Sequence, residues 1–206
     1  DGQITENDRT VIGNTTPKFQ GGFGLSGQWK NFDFTANFNY MVDFDVYNAT
    51  NYMLSSSISN TNNFYNVLAD FTQKNRWTYV RADGECLYKN TNIDGSVNEY
   101  ITMNAGKSLW NPADVEDKVT HSYFVEDGSF LRLQDVTIGY TLPSNLTKKW
   151  GMSKVRFYAS ASNLFILTGY SGYDPEVDVQ SGLTPSMDYN RYPRSRSFVF
   201  GTNITF

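Results

Sequence analysis

One cysteine and one histidine occur in the 206 residues of this chain. Cys86 therefore has no internal disulfide partner, and stapling plays no part in the fold. His121 stands without a second imidazole, so a zinc site of usual composition cannot be assembled. A Ser-His-Asp relay would need a nucleophile against that one His, and no nucleophile-elbow sequence flanks it. His121 reads as a loop residue, and the chain as a non-enzyme with no catalytic residues, no metal ligands and no cofactor. Basic residues are also short: 17 Lys and Arg stand against 21 Asp and Glu, a net charge of −4. That balance excludes a nucleic-acid footprint, which needs clustered cations. No apolar run approaches the ~18 residues of a membrane helix. A helical membrane protein is thereby excluded, whereas a β-barrel is not, because its strands need only alternate. A signal peptide is lacking too, and the abrupt start at Asp1-Gly2 suggests a processed chain or a piece of a longer one.

Aromatic residues are plentiful. Fifteen Phe and 14 Tyr help bring aromatics to 16 %, while hydrophobic residues reach only 39 % and mean hydropathy is −0.48. Aromatics in a polar, Asn- and Thr-rich chain suggest strands with one apolar and one wet face. They argue against disorder, whose sequences are aromatic-poor.

The alternation itself begins at Phe19. Phe19, Gly21, Phe23, Leu25, Gly27 and Trp29 share one parity, with Gln20, Ser26 and Gln28 on the other. After Lys30-Asn31 it resumes through Phe32, Phe34, Ala36, Phe38, Tyr40, Val42, Phe44 and Val46. Opposite lie Asp33, Thr35, Asn37, Asn39, Asp43 and Asp45, with Met41 the exception. Two period-2 runs with a two-residue break predict a hairpin over 19–46. Further runs predict strands at Phe130–Leu142, Lys154–Thr168 and Arg196–Phe206. The run from Phe32 is about fifteen residues, roughly 50 Å of strand or about 35 Å at a ~45° tilt. It overshoots an apolar membrane band of ~25 Å.

The connections alternate in length. Short ones at 30–31 and 143–153 contrast with long segments at 47–128 and 169–195. Outer-membrane barrels have short periplasmic turns and long extracellular loops. The expected organisation is thus an extracellular loop end at 1–18, a barrel hairpin at 19–46, a long extracellular loop at 47–128, and three strands within 129–206 with an outer loop at 169–195. Phe64, Tyr65, Val67, Leu68 and Phe71 predict a short helix near 63–77, as loop packing or as a cover over the barrel mouth. Trp29, Phe32, Tyr140 and Trp150 flank the short turns, as an aromatic girdle would.

Several phrases carry a family likeness. They are Thr16-Pro17-Lys18-Phe19-Gln20-Gly21-Gly22, the long string Asp127-Gly128-Ser129-Phe130-Leu131-Arg132-Leu133-Gln134-Asp135-Val136-Thr137-Ile138-Gly139-Tyr140-Thr141-Leu142-Pro143, then Asn163-Leu164-Phe165, Gly172-Tyr173-Asp174-Pro175-Glu176-Val177 and Arg191-Tyr192-Pro193. The chain resembles the C-terminal part of SusC/RagA-type TonB-dependent outer-membrane transporters, with residues 48–122 matching least. The resemblance implies an all-β fold: the last five or so antiparallel strands of a large transmembrane barrel of a Gram-negative bacterium of Bacteroidetes type. It implies import of oligosaccharides or peptides with a SusD-like surface lipoprotein, powered through TonB by an N-terminal region absent here. The final strand ending at Phe206 resembles the signal read by the barrel assembly machinery, and its edge is suited to strand addition.

Residue roles follow as expectations. A lumen would be lined by Asp33, Asn37, Asn39, Arg156, Tyr158 and Ser160, and lipid met by Phe34, Phe38, Val136, Ile138, Phe157 and Phe200. Trp77, Tyr79, Trp110, Tyr170, Tyr173, Tyr189 and Tyr192 are exposed-loop candidates for substrate or partner, with loop packing the alternative for each. Asp174, Glu176 and Asp178 face Arg191, Arg194 and Arg196 as possible surface pairs. Asp1 to Asp8 resembles the second half of a calcium loop, but it reads first as a solvated Asx-rich turn. A secreted β-sandwich that binds glycans through loop aromatics is the alternative function.

Overall fold

A computed structural model describes residues 7, 9–55, 66–72, 75–76, 79–80, 86–87, 102–103, 109–110, 120, 122–176 and 185–206. The chain divides into two compact units, 1–47 with 125–206, and 48–124. In chain order the strands are β1 (Phe19–Trp29), β2 (Phe32–Val42), β3 (Asp45–Asn48), β4 (Tyr79–Val80), β5 (Cys86–Leu87), β6 (Thr102–Met103), β7 (Val125–Asp127), β8 (Phe130–Thr141), β9 (Lys154–Thr168), β10 (Met187–Asp188) and β11 (Ser197–Thr205). Two short helices, α1 (Ala49–Leu54) and α2 (Ser144–Thr147), accompany them.

The first unit is dominated by one antiparallel sheet in the order β1-β2-β8-β9-β11. Directly paired residues share a face, and the pairing carries rows of like residues across the strands. Trp29, Phe32, Tyr140 and Phe157 form one row; Gly27, Phe34, Ile138, Ala159 and Phe200 form the next. Leu25, Ala36, Val136, Ala161 and Phe198 follow, then Phe23, Phe38, Leu133 and Phe165. The rings of Phe23 and Phe38 stack with centroids 4.8 Å apart. This apolar face lies bare: Phe200 is 80 % exposed, and Phe34, Ile138, Phe157 and Phe198 are exposed with it. A sandwich would cover such a face with a second sheet, and among the described residues none does.

Strand β2 stops at Val42, which corrects the expectation of one strand running to Val46. Asp43 adopts a left-handed backbone (φ 63°). Its N–H donates to Ser129 Oγ at 2.9 Å, and its carboxylate pairs with Lys18. The eleven residues of β2 give roughly 36 Å of strand, about 26 Å at a ~45° tilt. That length matches an apolar band of ~25 Å instead of overshooting it.

Beyond Asp43 the chain continues as β3 in a second small sheet, β10-β3-β7. Phe44 and Val46 turn inward here and bury with Phe130 and Tyr170, against Met41 and Ile166. Met41, the outlier of the sequence alternation, thus has an apolar place to go. An irregularity in β8 serves the same end. Pairing steps from Asp135 to Leu133 and leaves Gln134 as an extra residue. Strict alternation back from Val136 would have put Arg132 on the apolar face; the bulge returns it to the other, opposite Asn39.

The second unit holds α1, whose N-terminal N–H of Asn51 is capped by Asn48 Oδ1 at 2.9 Å, and the small sheet β5-β4-β6. Phe71, Trp110, Tyr123 and Phe124 pack edge to face at 5.1–5.7 Å, with Tyr52 on Phe124 at 5.4 Å. Of the helix expected near 63–77, residues 63–65, 73–74 and 77 lie outside the described set. The described part holds one 3-10 turn, Ala69–Phe71.

Candidate functional site

The face opposite the apolar one is polar and internally bonded. Gln28, Asp33, Gly139, Tyr158 and Gly201 form a row, followed by Ser26, Thr35, Thr137, Ser160 and Val199, then Gly24, Asn37, Asp135, Ser162 and Ser197. Thr137 and Ser160 share a hydrogen bond at 2.7 Å, and Ser162 donates to Asp135 at 2.7 Å. Arg156 grips Asp33 with two bonds, Nε to Oδ1 at 3.0 Å and Nη2 to Oδ2 at 2.5 Å. The pair reaches from β9 to β2 across β8, and this is possible because residue 139 is glycine: a Cβ there would collide with the guanidinium. The same guanidinium lies 5.4 Å from the ring of Tyr158. All six residues expected to line a lumen stand on this face, and all six expected to meet lipid stand on the other.

At the end of the sheet away from the short turns, the loop after β9 is braced by buried charge. Arg132 is 4 % exposed and donates from Nη2 to Asp174 at 2.6 Å. Its Nε lies 3.3 Å from Glu176, and Glu176 in turn pairs with Arg194 at 2.8 Å. Asp174 also accepts from the Glu176 N–H at 3.0 Å. The carboxylates expected to meet Arg191, Arg194 and Arg196 at the surface thus divide: Glu176 does pair with Arg194, while Asp174 takes Arg132 from the strand. Asp178 lies outside the described residues. Arg132 was the missed partner, and its out-of-phase position before Val136 was the signal available in the sequence.

The loop aromatics separate into two kinds. Tyr170, expected on the surface, is 6 % exposed: its ring joins the Phe44 core and its hydroxyl donates to Asp188 at 2.7 Å. Burial, then the bond to Asp188 and the charges of Asp188 and Glu126, push its phenol well above the ordinary range. Trp110 is half-buried among Phe71, Tyr123 and Phe124, so it packs. Tyr173, Tyr189 and Tyr192 are 79 %, 59 % and 89 % exposed. They stand on the braced loop, and Ser171 ties that loop to Glu126 by two bonds of 2.8 Å. Trp77 and His121, with all of Asp1–Asp8 except Asn7, lie outside the described residues, and of Tyr79 only the backbone strand is described. Among the described residues, no group of three or more His, Cys, Asp or Glu is placed to hold a metal.

Comparison with known proteins gives a consistent picture. No family model matches the chain. It is 33 % identical over 211 residues to the TonB-dependent receptor P3 of Formosa agariphila, covering 100 % of this chain and 18 % of that protein. A stretch of 86 residues is 41 % identical to the TonB-dependent receptor SusC of Bacteroides thetaiotaomicron, covering 41 % of this chain and 8 % of that protein. The fold matches a chain of the RagAB peptide transporter with a TM-score of 0.72 at 23 % identity, over 100 % of this chain and 19 % of that one. The closed-closed state of the RagAB peptide importer matches at 0.70. The chain spans under a fifth of the length of the curated relatives it matches.

Proposed function

The chain belongs to the SusC/RagA family of TonB-dependent outer-membrane transporters, and we propose that it is a stretch of barrel wall and outer loop through which an oligosaccharide or peptide is imported. The observation that carries this reading is a single sheet with two opposed faces. One is a bare apolar band about as tall as a bilayer core; the other is a hydrogen-bonded polar surface. A large exposed apolar patch is unfavourable in water and is satisfied by lipid. Asp33, Asn37, Asn39, Arg156, Tyr158 and Ser160 then line the lumen, and Phe34, Phe38, Val136, Ile138, Phe157 and Phe200 meet acyl chains.

Among the described residues no strand pairs with the outer edges of β1 and β11, and a closed barrel supplies a neighbour to each. We assign the β11 edge also to strand addition by the barrel assembly machinery. The short turns then face the periplasm and the braced loop faces outward. Tyr173, Tyr189 and Tyr192 present flat faces and hydroxyls to the substrate or to a SusD-like lipoprotein lid. TonB engages another part of the full transporter.

The test is an arginine scan of the two faces in the full-length transporter. Phe38→Arg and Phe157→Arg should each destabilise the barrel by about 2–4 kcal/mol, read as urea unfolding in bilayers. Asn37→Arg should leave assembly intact and change uptake in cells. Equal tolerance of arginine on both faces would sink the assignment.

A further inference from the structure

Charge is distributed unevenly between the two ends of the wall. The loop end carries both signs, with Asp43, Asp45, Glu126, Asp127 and Asp188 beside Lys18, Arg132, Arg191, Arg194 and Arg196. The short-turn end, residues 29–32 and 142–155, carries Lys30, Lys148, Lys149 and Lys154 and no Asp or Glu. Both turns belong to one rim, because the Thr141 N–H donates to the Asn31 carbonyl and the Ser153 N–H to the Thr205 carbonyl, each at 2.8 Å.

This rim also has a defined relation to the apolar face. Trp29 heads the last apolar row, Trp29-Phe32-Tyr140-Phe157, at that end of the sheet. Lys30 takes a left-handed backbone (φ 54°), and its ammonium sits 4.8 Å from the Trp29 ring centroid. The cation is thus held against the edge of the apolar band rather than over the polar face. In the second turn Lys148, Lys149 and Trp150 form one 3-10 turn, all three exposed, closed by Gly151 at φ 72°. Amphipathic lysines beside exposed indoles suit a boundary where acyl chains give way to headgroups.

We propose that this lysine–tryptophan rim is a docking surface for anionic phospholipids of the leaflet on the short-turn side. The inference rests on the barrel-wall reading and names the chemistry of one edge of it. The acyl chains lie along the aromatic row, and the headgroup phosphate meets Lys30, Lys148 and Lys149. A zwitterionic headgroup offers the same phosphate but brings its own cation to turns that carry four lysines, where Asp33, one residue beyond, is already held by Arg156. A net-anionic headgroup brings none, so it is preferred. Each lysine near an anionic surface contributes about five-fold to partitioning, less at high salt.

The test uses the full-length transporter, delipidated in detergent and offered equal phosphatidylglycerol and phosphatidylcholine, with bound lipids weighed by native mass spectrometry. The unaltered protein should retain phosphatidylglycerol preferentially. The triple variant Lys30→Gln, Lys148→Gln, Lys149→Gln should approach parity, losing about five-fold per lysine, while Arg191→Gln on the opposite loop leaves the preference unchanged. Lys154 stays in place because it shares the inner face with Arg156. Absence of preference in the unaltered protein, or its survival in the triple variant, would overturn the proposal. So would equal retention of inorganic phosphate alone, or lysine-dependent capture of an acidic protein without any lipid preference. A bimane at Ile138→Cys in a cysteine-free background separates the two levels of failure. Loss of quenching by chain-labelled doxyl lipid removes the wall reading and the rim together; quenching without headgroup preference removes the rim alone.

Discussion

From Phe32 to Val42 every second residue of β2 joins a bare apolar face, whereas Phe44 and Val46, which continue the same alternation in sequence, are buried inside the chain. In the wall the apolar side chains are left for the surroundings to cover. Above Asp43 the chain covers them itself, with Phe130, Tyr170 and a small second sheet. One left-handed residue and one bulged residue separate the two regimes. Hydrophobic pattern therefore specifies that a side chain leaves water, while backbone phase decides what it leaves water for.

Electrostatics divides the same way. Asp33 and Arg156 are only half-buried on the open polar face, while Arg132 and Asp174 are closed in beneath the loop. Removing one partner of the second pair is the most severe way to break the contrast. Arg132→Met should open the loop at a cost of about 3–5 kcal/mol, because it leaves Asp174 and Glu176 without their cation. Faster proteolysis within 169–195 in the intact transporter would report it. Arg132→Met combined with Asp174→Asn and Glu176→Gln should recover much of the loss. A loop as resistant in the single variant as in the unaltered protein would show that the pair does not brace it.

The phase switch at Asp43 is a smaller effect. Asp tolerates the left-handed region, and a β-branched residue there costs roughly 1–2 kcal/mol. Asp43→Val should therefore speed amide hydrogen exchange over Phe44–Tyr47, and Asp43→Gly much less. Equal exchange in the two variants would mean that the buried core, not residue 43, sets the phase.

These two positions also mark where the sequence stops being readable. The wall was legible because period 2 is a local property: the pairs Phe23–Phe38 and Gly27–Phe34 follow once parity and the short turn are known. The turn from β2 into β3 was not, because Asp43 looks like one more polar member of the alternation. The Arg132–Asp174 contact joins residues 42 apart and depends on a bulge at Gln134. A charged residue out of phase in an apolar run was a usable hint that the count changes there. Tyr170 was misjudged for a similar reason: loop aromatics are exposed on average, and only the fold brings Asp188 to its hydroxyl.

That tyrosine gives the mildest and most selective test of the comparison, because it belongs to the self-covered region alone. Its phenol is raised by burial and by donation to Asp188, so the folded loop favours the protonated form more than the unfolded chain does. The resulting stability is fully present below the ordinary tyrosine value of ~10 and is lost as pH rises through the higher folded value. Hydrogen exchange in the loop should accordingly accelerate in an added step above pH ~10. Tyr170→Phe should lose about 0.5–1.5 kcal/mol at neutral pH and lack that added step, with the wall strands unaffected in both proteins. An identical alkaline step in Tyr170→Phe would assign the loosening to other groups and leave the Tyr170–Asp188 bond a packing contact without pH dependence.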